Sequence, residues 1–339
     1  MNAAASPRIA LVTAAAARAL DEDLAPLAAA LTARGAAVTI ADWDDAATEG
    51  SRFDLALLRS TWDYSLRLPE FLGWVERVAT QTRLLNPPEV VRWNTDKHYL
   101  GDLARAGVPV VPGAFVEPGA DADAALEAFL AAHATHADLV VKPCIGAGSR
   151  DAQRHRRDNR AAAVAHLRRL LDAGRSALLQ PYLDRVDADG ETALLFFDGA
   201  FSHAIRKGPL LRRDEGPTRA LFAPEHIQAR TPGADELALA QRVLAAIPCA
   251  DPLLYARIDL LRDARGQPAV LELELTEPSL FFASAPGSVE RFAAAVLARA
   301  TRRGLAKYRQ PVRNARRDWT CATSPATCPQ GCPRHLWIV

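Results

Sequence analysis

The stretch that decides the fold is residues 255–280, which read Tyr-Ala-Arg-Ile-Asp-Leu-Leu (255–261), a polar turn, and Ala-Val-Leu-Glu-Leu-Glu-Leu-Thr-Glu-Pro-Ser-Leu (269–280). Each half has the length and the apolar run of a β-strand, and the turn between them predicts a hairpin. Side chains alternate faces along a strand, so Glu272 and Glu274 point to the same face. Asp259 can join them from the neighbouring strand. The hairpin therefore predicts three carboxylates on one face of an otherwise apolar sheet.

Three converging carboxylates repel one another and resist ionisation in apolar surroundings unless a cation compensates them. Carboxylate oxygens suit Mg²⁺, which usually takes one or two carboxylates and completes its octahedron with water and phosphate oxygens. Asp259, Glu272 and Glu274 are therefore the candidate metal ligands. The alternative is an edge hairpin whose acidic face is merely solvated.

The composition is that of a globular protein with more than one domain. The chain has 339 residues, of which 49% are hydrophobic and 24% charged, and its formal net charge is +1. This length predicts two or three domains. The near-neutral charge argues against binding to nucleic acid or to a membrane surface. Because the sequence shows neither a signal-peptide pattern nor an apolar run of transmembrane length, we expect a cytoplasmic location.

The cysteines do not have the distribution of a disulfide framework. Five are present, and Cys321, Cys328 and Cys332 crowd the C-terminal end. Their spacing, with His335, matches no familiar zinc finger, so a metal site there is the weaker alternative. Residues 311–339 are rich in Pro, Thr and Ser, and we predict a poorly ordered tail.

The N-terminal part alternates short apolar runs with helical segments, which predicts a parallel α/β layer. Such sheets place their functional loops at the carboxyl ends of the strands. Arg59, Thr61 and Asp63 follow the third strand and are candidates to bind a small polar substrate, with the arginine pairing bidentately with a carboxylate. Alternatively, Trp62 and Tyr64 pack at a domain boundary while Asp63 caps the next helix.

A lysine near a predicted helix start is the next candidate. The segment Trp-Asn-Thr-Asp-Lys (93–97) predicts a helix capped by Asn94 or Thr95, with Lys97 in its first turn. A lysine at that position is unfavourable for the helix dipole, so an anion bound near the helix start would account for it. A solvated surface lysine is the alternative.

A second lysine precedes a loop of small residues. Asp-Leu-Val-Val-Lys-Pro (138–143) predicts a strand that carries Lys142, and the loop after it contains Gly146, Gly148 and Ser149. Glycines let backbone amides approach phosphate oxygens closely, and a neighbouring lysine neutralises charge. The spacing is that of neither a Walker loop nor a Rossmann fingerprint.

Two further segments carry polar groups at the ends of predicted strands. Because Pro181 cannot sustain a ladder, we expect free backbone groups near Tyr182 and Leu183, which would suit the edge of an adenine. A hairpin turning at Asp198-Gly199 is predicted to deliver Arg206 and Lys207 together at its end. The long polar connection that follows, residues 208–233, is predicted to be a mobile loop.

Taken in order, these features resemble the ATP-grasp superfamily over nearly the whole chain before the tail. The phrases at 59–64, 93–97 and 272–281 resemble the branch of glutathione-synthetase-like or ribosomal-protein-modifying ligases, and especially the O-ureido-serine cyclo-ligases of cycloserine biosynthesis. The resemblance implies that the protein belongs to the α/β class and that its ATP-binding part has the α+β arrangement. ATP is expected to be clamped between two domains. The implied segments are an N-terminal parallel α/β domain (1–93), a central subdomain (94–185), a C-terminal subdomain (186–310) and the tail (311–339).

The resemblance also implies roles for individual residues. Those expected to contact ATP are two lysines, the phosphate-covering loop, the adenine hinge and a ribose-binding carboxylate: Lys97, Lys142, Gly146, Gly148, Ser149, Gln180, Tyr182, Leu183 and Asp187. Those expected around the metal and the transferred phosphoryl group are Asp259, Glu272, Glu274, Arg257, Arg206 and Lys207. Glu274 departs from the pattern, since many members have Asn at that place.

The implied activity is ATP-dependent ligation. A substrate carboxylate is activated as an acyl phosphate, and a nitrogen nucleophile attacks it to give an amide or a closed ring, ADP and phosphate. The implied cofactors are ATP and two Mg²⁺ ions, with Mn²⁺ as an alternative, and the implied partners are a small-molecule carboxylate and an amine. A homodimer is one alternative for the assembly. The rival function is a non-catalytic nucleotide-binding module, against which the acidic trio and the paired basic residues argue.

Overall fold

Three sheets organise the chain. The computed structural model describes residues 6–45, 48–213, 215–217, 226–301 and 336–338. Within these residues there is one sheet of four strands and there are two of five, with both parallel and antiparallel pairings. This architecture confirms the α/β class predicted from the sequence. No helix in the described part of the chain is long and apolar enough to cross a membrane.

The first sheet is entirely parallel, with the order β2-β1-β3-β4. Its strands are β1 (Arg8–Thr13), β2 (Ala37–Asp42), β3 (Leu55–Leu58) and β4 (Arg83–Leu85). The helices of this part are α1 (Leu24–Ala33), α2 (Leu68–Gln81) and α3 (Pro88–Asn94). Short 3-10 helices lie at Arg18–Leu20, Gly50–Arg52 and Trp62–Leu66. β3 is apolar and buried at every position, as expected for a parallel strand covered on both faces.

The second sheet begins after α4 (Tyr99–Arg105). Its strands are β5 (Ala114–Val116), β6 (Asp138–Pro143), β7 (Gln153–Arg156) and β8 (Ala177–Pro181), joined by an edge strand from the C-terminal end. The helices α5 (Ala122–Ala132) and α6 (Arg160–Asp172) pack on it through alanine, leucine and valine side chains. Neighbouring strands of this sheet are antiparallel, and β6 and β8 place their ends at the same cavity.

The third sheet is an antiparallel array with the order β11-β10-β9-β12-β13. Its elements are α7 (Val186–Asp189), β9 (Glu191–Phe197), β10 (Ala200–Lys207), β11 (Ile227–Arg230), α8 (Ala234–Ala246), β12 (Tyr255–Arg262) and β13 (Pro268–Glu274). A 3-10 helix at Phe282–Ser284 and α9 (Ser288–Thr301) follow. Both predicted hairpins, at residues 198–199 and 255–274, are confirmed.

Apolar side chains join the sheets into one body. Phe292 and Val296 of α9 pack in one cluster with Leu27 of α1 and Phe197 of β9, which links the first sheet to the third. A parallel bridge between Val110 and Val270 links the segment before β5 to β13. Such shared cores fix the position of one sheet relative to another, which a site built from several sheets requires.

Two local predictions differ from the structure. Lys97 lies in the connection between α3 and α4, so its predicted place in a first helical turn is wrong. The reason is that Asn94 uses its amide on β13, donating to the Leu273 oxygen at 2.7 Å and accepting from the Leu275 nitrogen at 2.7 Å, and not on a helix start. The predicted loop 208–233 contains β11, which pairs with β10.

The domain boundaries stay a prediction. The predicted tail 311–339 lies outside the described residues, apart from the strand β14 (Leu336–Ile338), which pairs antiparallel with β5. Residues 214 and 218–225 of the predicted loop, and all three tail cysteines, also lie outside the described residues.

Candidate active site

A cavity of about 650 Å³ is lined by strand residues of the second and third sheets and by segments that follow strands of the first sheet. Its charged wall comes from β9, β10, β12 and β13, and the opposite side comes from β6, β8 and the glycine loop after β6. Trp62 and Tyr64 reach it from the segment after β3. A cleft with apolar walls and a few convergent charged groups is the usual form of a small-molecule site.

The acidic hairpin places its carboxylates on this cavity. Asp259 of β12 is paired directly with Glu272 of β13, and Arg257 is paired with Glu274 two positions away. All four side chains line the cavity, and Asp259 is only 1% exposed. The arrangement follows from the alternation of faces along a strand, since positions two apart share a face.

Each of the three carboxylates is paired with a basic side chain. The Lys207 ammonium lies 2.6 Å from Asp259 and 2.5 Å from Glu191, the Lys97 ammonium lies 2.8 Å from Glu272, and Arg257 pairs with both Asp259 and Glu274. Gly190 permits the approach of β9 to Lys207, because a Cβ there would lie 2.5 Å from the Lys207 carbonyl oxygen. Buried charges are tolerated only when they are compensated in this way.

The pKa values of the acidic residues follow their neighbours. Burial opposes the ionisation of Asp259, but Arg257 and Lys207 outweigh it and hold its pKa below the usual range. Burial also opposes the ionisation of Glu272, whose pKa is nevertheless lowered by Lys97. At Glu274 burial prevails over Arg257 and raises the pKa to about 7. A divalent cation would therefore meet two carboxylates that are already ionised and a third close to ionisation.

Lys142 differs from Lys97 and Lys207 because it forms no ion pair with a described residue. It is buried at the cavity wall on β6, and burial lowers its pKa to about 8. The loop beyond it lines the same cavity, with Gly148 in the left-handed region at φ +61° that favours glycine. Lys97 also contacts this loop, because its ammonium group donates to the Gly146 carbonyl oxygen at 3.4 Å. A buried lysine beside a glycine loop suits a phosphate group.

The predicted adenine hinge lines the cavity through Gln180, Tyr182 and Leu183. The expectation of free backbone groups is wrong for two atoms: the Tyr182 amide donates to the Asp138 oxygen at 3.0 Å, and the Leu183 oxygen accepts from Val186 at 2.9 Å. Pro181 ends β8, but the Tyr182 amide still bonds to the neighbouring strand β6, and the Leu183 carbonyl oxygen accepts a bond in the turn that leads into α7.

Asp187 does not line the cavity. Its carboxylate accepts a hydrogen bond of 2.5 Å from the Tyr182 hydroxyl and lies 3.5 Å from Arg154, whose guanidinium stacks 3.4 Å above the Tyr182 ring. The residue predicted for the ribose is therefore part of a surface network that supports the hinge.

Four other predicted site residues also lie off the cavity lining. Arg206 donates to the carbonyl oxygens of Ala188 and Asp189. Asp63 accepts from the indole of Trp43 at 2.8 Å and from Arg67. The structure therefore brings neither residue to the cavity lining.

Arg59 and Thr61 are buried behind the cavity wall. Arg59 is 1% exposed and donates to the Pro278 oxygen at 2.9 Å. Its Nε and Nη1 atoms and the Thr61 hydroxyl have no hydrogen-bond partner among the described residues. Arg59 thus holds the segment after β13 in place, and the structure shows it as a positioning residue more than a surface for substrate.

Sequence reasoning missed three residues that shape the site. Glu191 begins β9 and shares Lys207 with Asp259. Asp23 accepts from three consecutive amides, those of residues 280–282, at 2.6, 3.1 and 2.9 Å. Glu277 is a buried carboxyl on the cavity wall. No local pattern signalled Glu277, because it lies three residues beyond Glu274 and outside β13, where the alternation of strand faces no longer applies.

Known proteins are similar to this chain in sequence and in fold. A family model described as the N-terminal domain of D-cycloserine synthetase DcsG matches residues 9–86. The cycloserine biosynthesis protein DcsG of Streptomyces lavendulae is 43% identical over 297 residues, which is 86% of this chain and 98% of that protein. A crystal structure of D-cycloserine synthetase DcsG matches with a TM-score of 0.80 and 43% identity, covering 86% of this chain and 99% of that chain.

A more distant structure shows the fold alone. The ATP-grasp ligase PsnB, solved with a minimal precursor, matches with a TM-score of 0.59 at 20% identity and covers 86% of this chain and 99% of that chain. The fold and these relatives define an ATP-grasp ligase, an enzyme that uses ATP, typically with Mg²⁺, to form a C–N bond on small molecules. Within that class the chain belongs to the DcsG family of D-cycloserine synthetases. The rival prediction of a non-catalytic nucleotide-binding module is thereby wrong.

Proposed function

We propose that this enzyme activates the carboxylate of a small amino-acid-like molecule as an acyl phosphate, which a nitrogen nucleophile then attacks. The observation that carries the proposal is the convergence, in one cavity, of the β12–β13 carboxylates with Lys97, Lys142 and the glycine loop. Phosphoryl transfer needs positioning and charge neutralisation more than covalent help from the protein, and this wall offers both.

The donor set fits a hard divalent cation. Asp259, Glu272 and Glu274 present carboxylate oxygens to one buried face and would hold Mg²⁺, with Mn²⁺ as the alternative. When bound, Mg²⁺ supplies neutralisation of phosphate charge. Two ions remain our proposal, because three carboxylates exceed what a single Mg²⁺ usually takes.

The protein's own side chains would bind and orient the ATP phosphates. Lys142 has no anionic partner among the described residues, so it is the cation best suited to hold an ATP phosphate. Arg257 and Lys207 lie beside Asp259 and would orient the transferred phosphoryl group. The substrate carboxylate attacks the γ-phosphorus and ADP leaves. The nitrogen then attacks the acyl carbon, and phosphate leaves as the nitrogen loses a proton to solvent.

The family points to a ring as the product. A relative is named a cycloserine biosynthesis protein and another a D-cycloserine synthetase. We propose O-ureido-serine as the substrate here, with a nitrogen of the same molecule as nucleophile, and a place in antibiotic biosynthesis.

The test is release of ADP and phosphate from MgATP by the purified protein, with O-ureido-serine and with a panel of amino acids and dipeptides. We expect substrate-dependent ADP release that falls at least about 100-fold in Glu272→Gln, because a carboxylate at the phosphates is lost. The exposed Glu127→Gln of α5 makes the same chemical change at a surface ion pair and should keep full activity. ADP release that no carboxylate stimulates, or that Glu272→Gln retains, would overturn the proposal.

A further inference from the structure

One carboxyl group on the cavity wall lacks the compensation that the others have. Glu191, Asp259, Glu272 and Glu274 are each ion-paired with a basic side chain. Glu277 is 7% exposed and lines the same cavity, yet it forms no ion pair with any residue that the structure describes. Its polar side-chain partner is the hydroxyl of Tyr64. The wall therefore lacks one positive charge at this point.

The position of Glu277 is fixed from several sides. The Trp62 indole donates to the Glu277 carbonyl oxygen at 3.0 Å, and Arg59 donates to the next carbonyl oxygen. Before it, the Tyr255 hydroxyl donates to the Thr276 oxygen at 2.8 Å. The Asp23 carboxylate holds the amides of residues 280–282. These bonds fix the backbone on both sides of Glu277, so its carboxyl group stays within side-chain reach of this corner of the cavity.

A buried carboxyl group without a cationic partner has a raised pKa, and Glu277 follows this rule. Burial, together with the nearby charge of Glu274, raises the pKa of Glu277 to about 8, and the hydrogen bond from Tyr64 only partly opposes this. Bringing a cation to Glu277 would relieve both effects. The residues beside it, Trp62 and Tyr64, are aromatic and mostly buried.

We propose that Glu277, together with Tyr64, binds the free ammonium group of an amino-acid substrate. One carboxylate, one hydroxyl and flanking aromatic rings suit an organic ammonium ion, whereas a hard metal ion would need more oxygen ligands than this corner provides. The inference rests on the proposed function, because the substrate must occupy the same cavity.

This assignment constrains the chemistry of the substrate. A nitrogen held as an ammonium ion has no lone pair, so it cannot attack the acyl carbon. The nucleophile must be a second nitrogen in the substrate or in a co-substrate. The substrate class is therefore an amino acid that keeps its amino group through the reaction, with the activated carboxyl at the phosphates.

The test compares O-ureido-serine with the same acid carrying hydrogen in place of the α-amino group. Binding is measured by calorimetry with a non-hydrolysable ATP analogue and Mg²⁺, and turnover by ADP release. In the unmodified enzyme we expect affinity and kcat/KM to favour the amine-bearing acid about 10- to 100-fold. In Glu277→Gln, which keeps the shape and removes the charge, this preference should fall towards one. Tyr64→Phe should reduce it by a smaller factor.

Glu290→Gln, an exposed position on α9, is the matched control and should keep the full preference. Thermal unfolding of each variant checks that it folds. The inference is overturned if the unmodified enzyme binds both acids with equal affinity or binds neither of them. It is also overturned if Glu277→Gln keeps the preference for the amine-bearing acid. Failure of the proposed function gives a different result: the amine-bearing acid binds with the preference above, but ATP is not cleaved.

Discussion

The ammonium nitrogen of Lys207 lies 2.6 Å from the Oδ2 atom of Asp259, and both side chains are buried at the cavity wall. Glu191 contacts the same ammonium from the other side, at 2.5 Å. Burial and the charge of Asp259 raise the pKa of Glu191 to about 7, although Lys207 lowers it in part. One lysine thus helps to compensate two buried acids, and Asp259 shares it with Glu191 while also pairing with Arg257.

Replacing Lys207 with methionine should therefore destabilise the protein by about 3–5 kcal/mol, because Glu191 and Asp259 each lose a buried ion pair, although Arg257 still compensates Asp259. Mg²⁺ should restore more stability to Lys207→Met than to the unmodified protein, since the metal would take over the compensation of Asp259. The measurement is urea unfolding with and without Mg²⁺. Arg206→Met is the neighbouring control, because the Arg206 guanidinium donates to the backbone carbonyl oxygens of Ala188 and Asp189 and forms no ion pair with a described residue. Equal Mg²⁺ stabilisation of both variants would show that the metal does not take over the compensation of Asp259 from Lys207.

Asp23 offers a second prediction, because one carboxylate accepts from three consecutive amides after β13. The middle residue, Phe281, has φ +51°, an unfavourable conformation for a side chain other than glycine that these bonds help to hold. Asp23→Asn directs an amide group at those N–H donors. We expect a loss of about 2 kcal/mol in unfolding free energy and a KM for the carboxylate substrate that rises about 10-fold, since Glu277 lies on the same segment.

Asp121→Asn is the matched control for that change. Asp121 also accepts from two backbone amides, but at the exposed start of α5, away from the cavity. It should lose about 1 kcal/mol or less with no change in KM. A KM effect of the same size in both variants would show that the loss at Asp23 is only general destabilisation. Steady-state kinetics and urea unfolding on the same preparations decide between the two.

The sequence predicts the structure best where the alternation of side chains along a strand, a short-range pattern, decides which face a residue occupies. Glu272 and Glu274 share a face because strand side chains alternate, and the neighbouring strand brings Asp259 opposite Glu272. The four parallel strands and the hairpins followed from the same patterns. These elements needed only local information, and the structure shows them where the patterns placed them.

The sequence predicts less well where a polar side chain chooses between local and distant partners. Asn94 can cap a helix, but it binds the β13 backbone instead, which moves Lys97 out of a helix start. Arg206 and Lys207 are adjacent, yet alternation along β10 sends one to α7 carbonyls and the other into the cavity. Glu277 lies beyond the strand, so its burial depends on Trp62 and Arg59 from another sheet. No local pattern contains that information.

His98 provides the last prediction, on the dependence of stability on pH. Its ring nitrogens lie 2.6 Å from Asp96 and 2.9 Å from Glu117, and the ring stacks on Phe115. Burial alone would lower the pKa of His98, but the two carboxylates outweigh it and raise the pKa to about 9. Because the folded value lies above the unfolded one of about 6.5, the contribution of the charged ring is complete below pH 6.5. It is lost as pH rises through 9.

We therefore expect His98→Gln to lose about 1 kcal/mol at pH 6, a figure reduced because the ring is a third exposed to solvent. The difference from the unmodified protein should shrink towards zero by pH 10. Urea unfolding at pH 6, 7.5, 9 and 10 measures it. Glu117→Gln is the companion variant: with one carboxylate removed, the pKa of His98 falls, so the loss of stability should begin at a lower pH. A His98→Gln deficit that stays constant from pH 6 to 10 would show that the ring is neutral throughout and contributes only its stacking on Phe115.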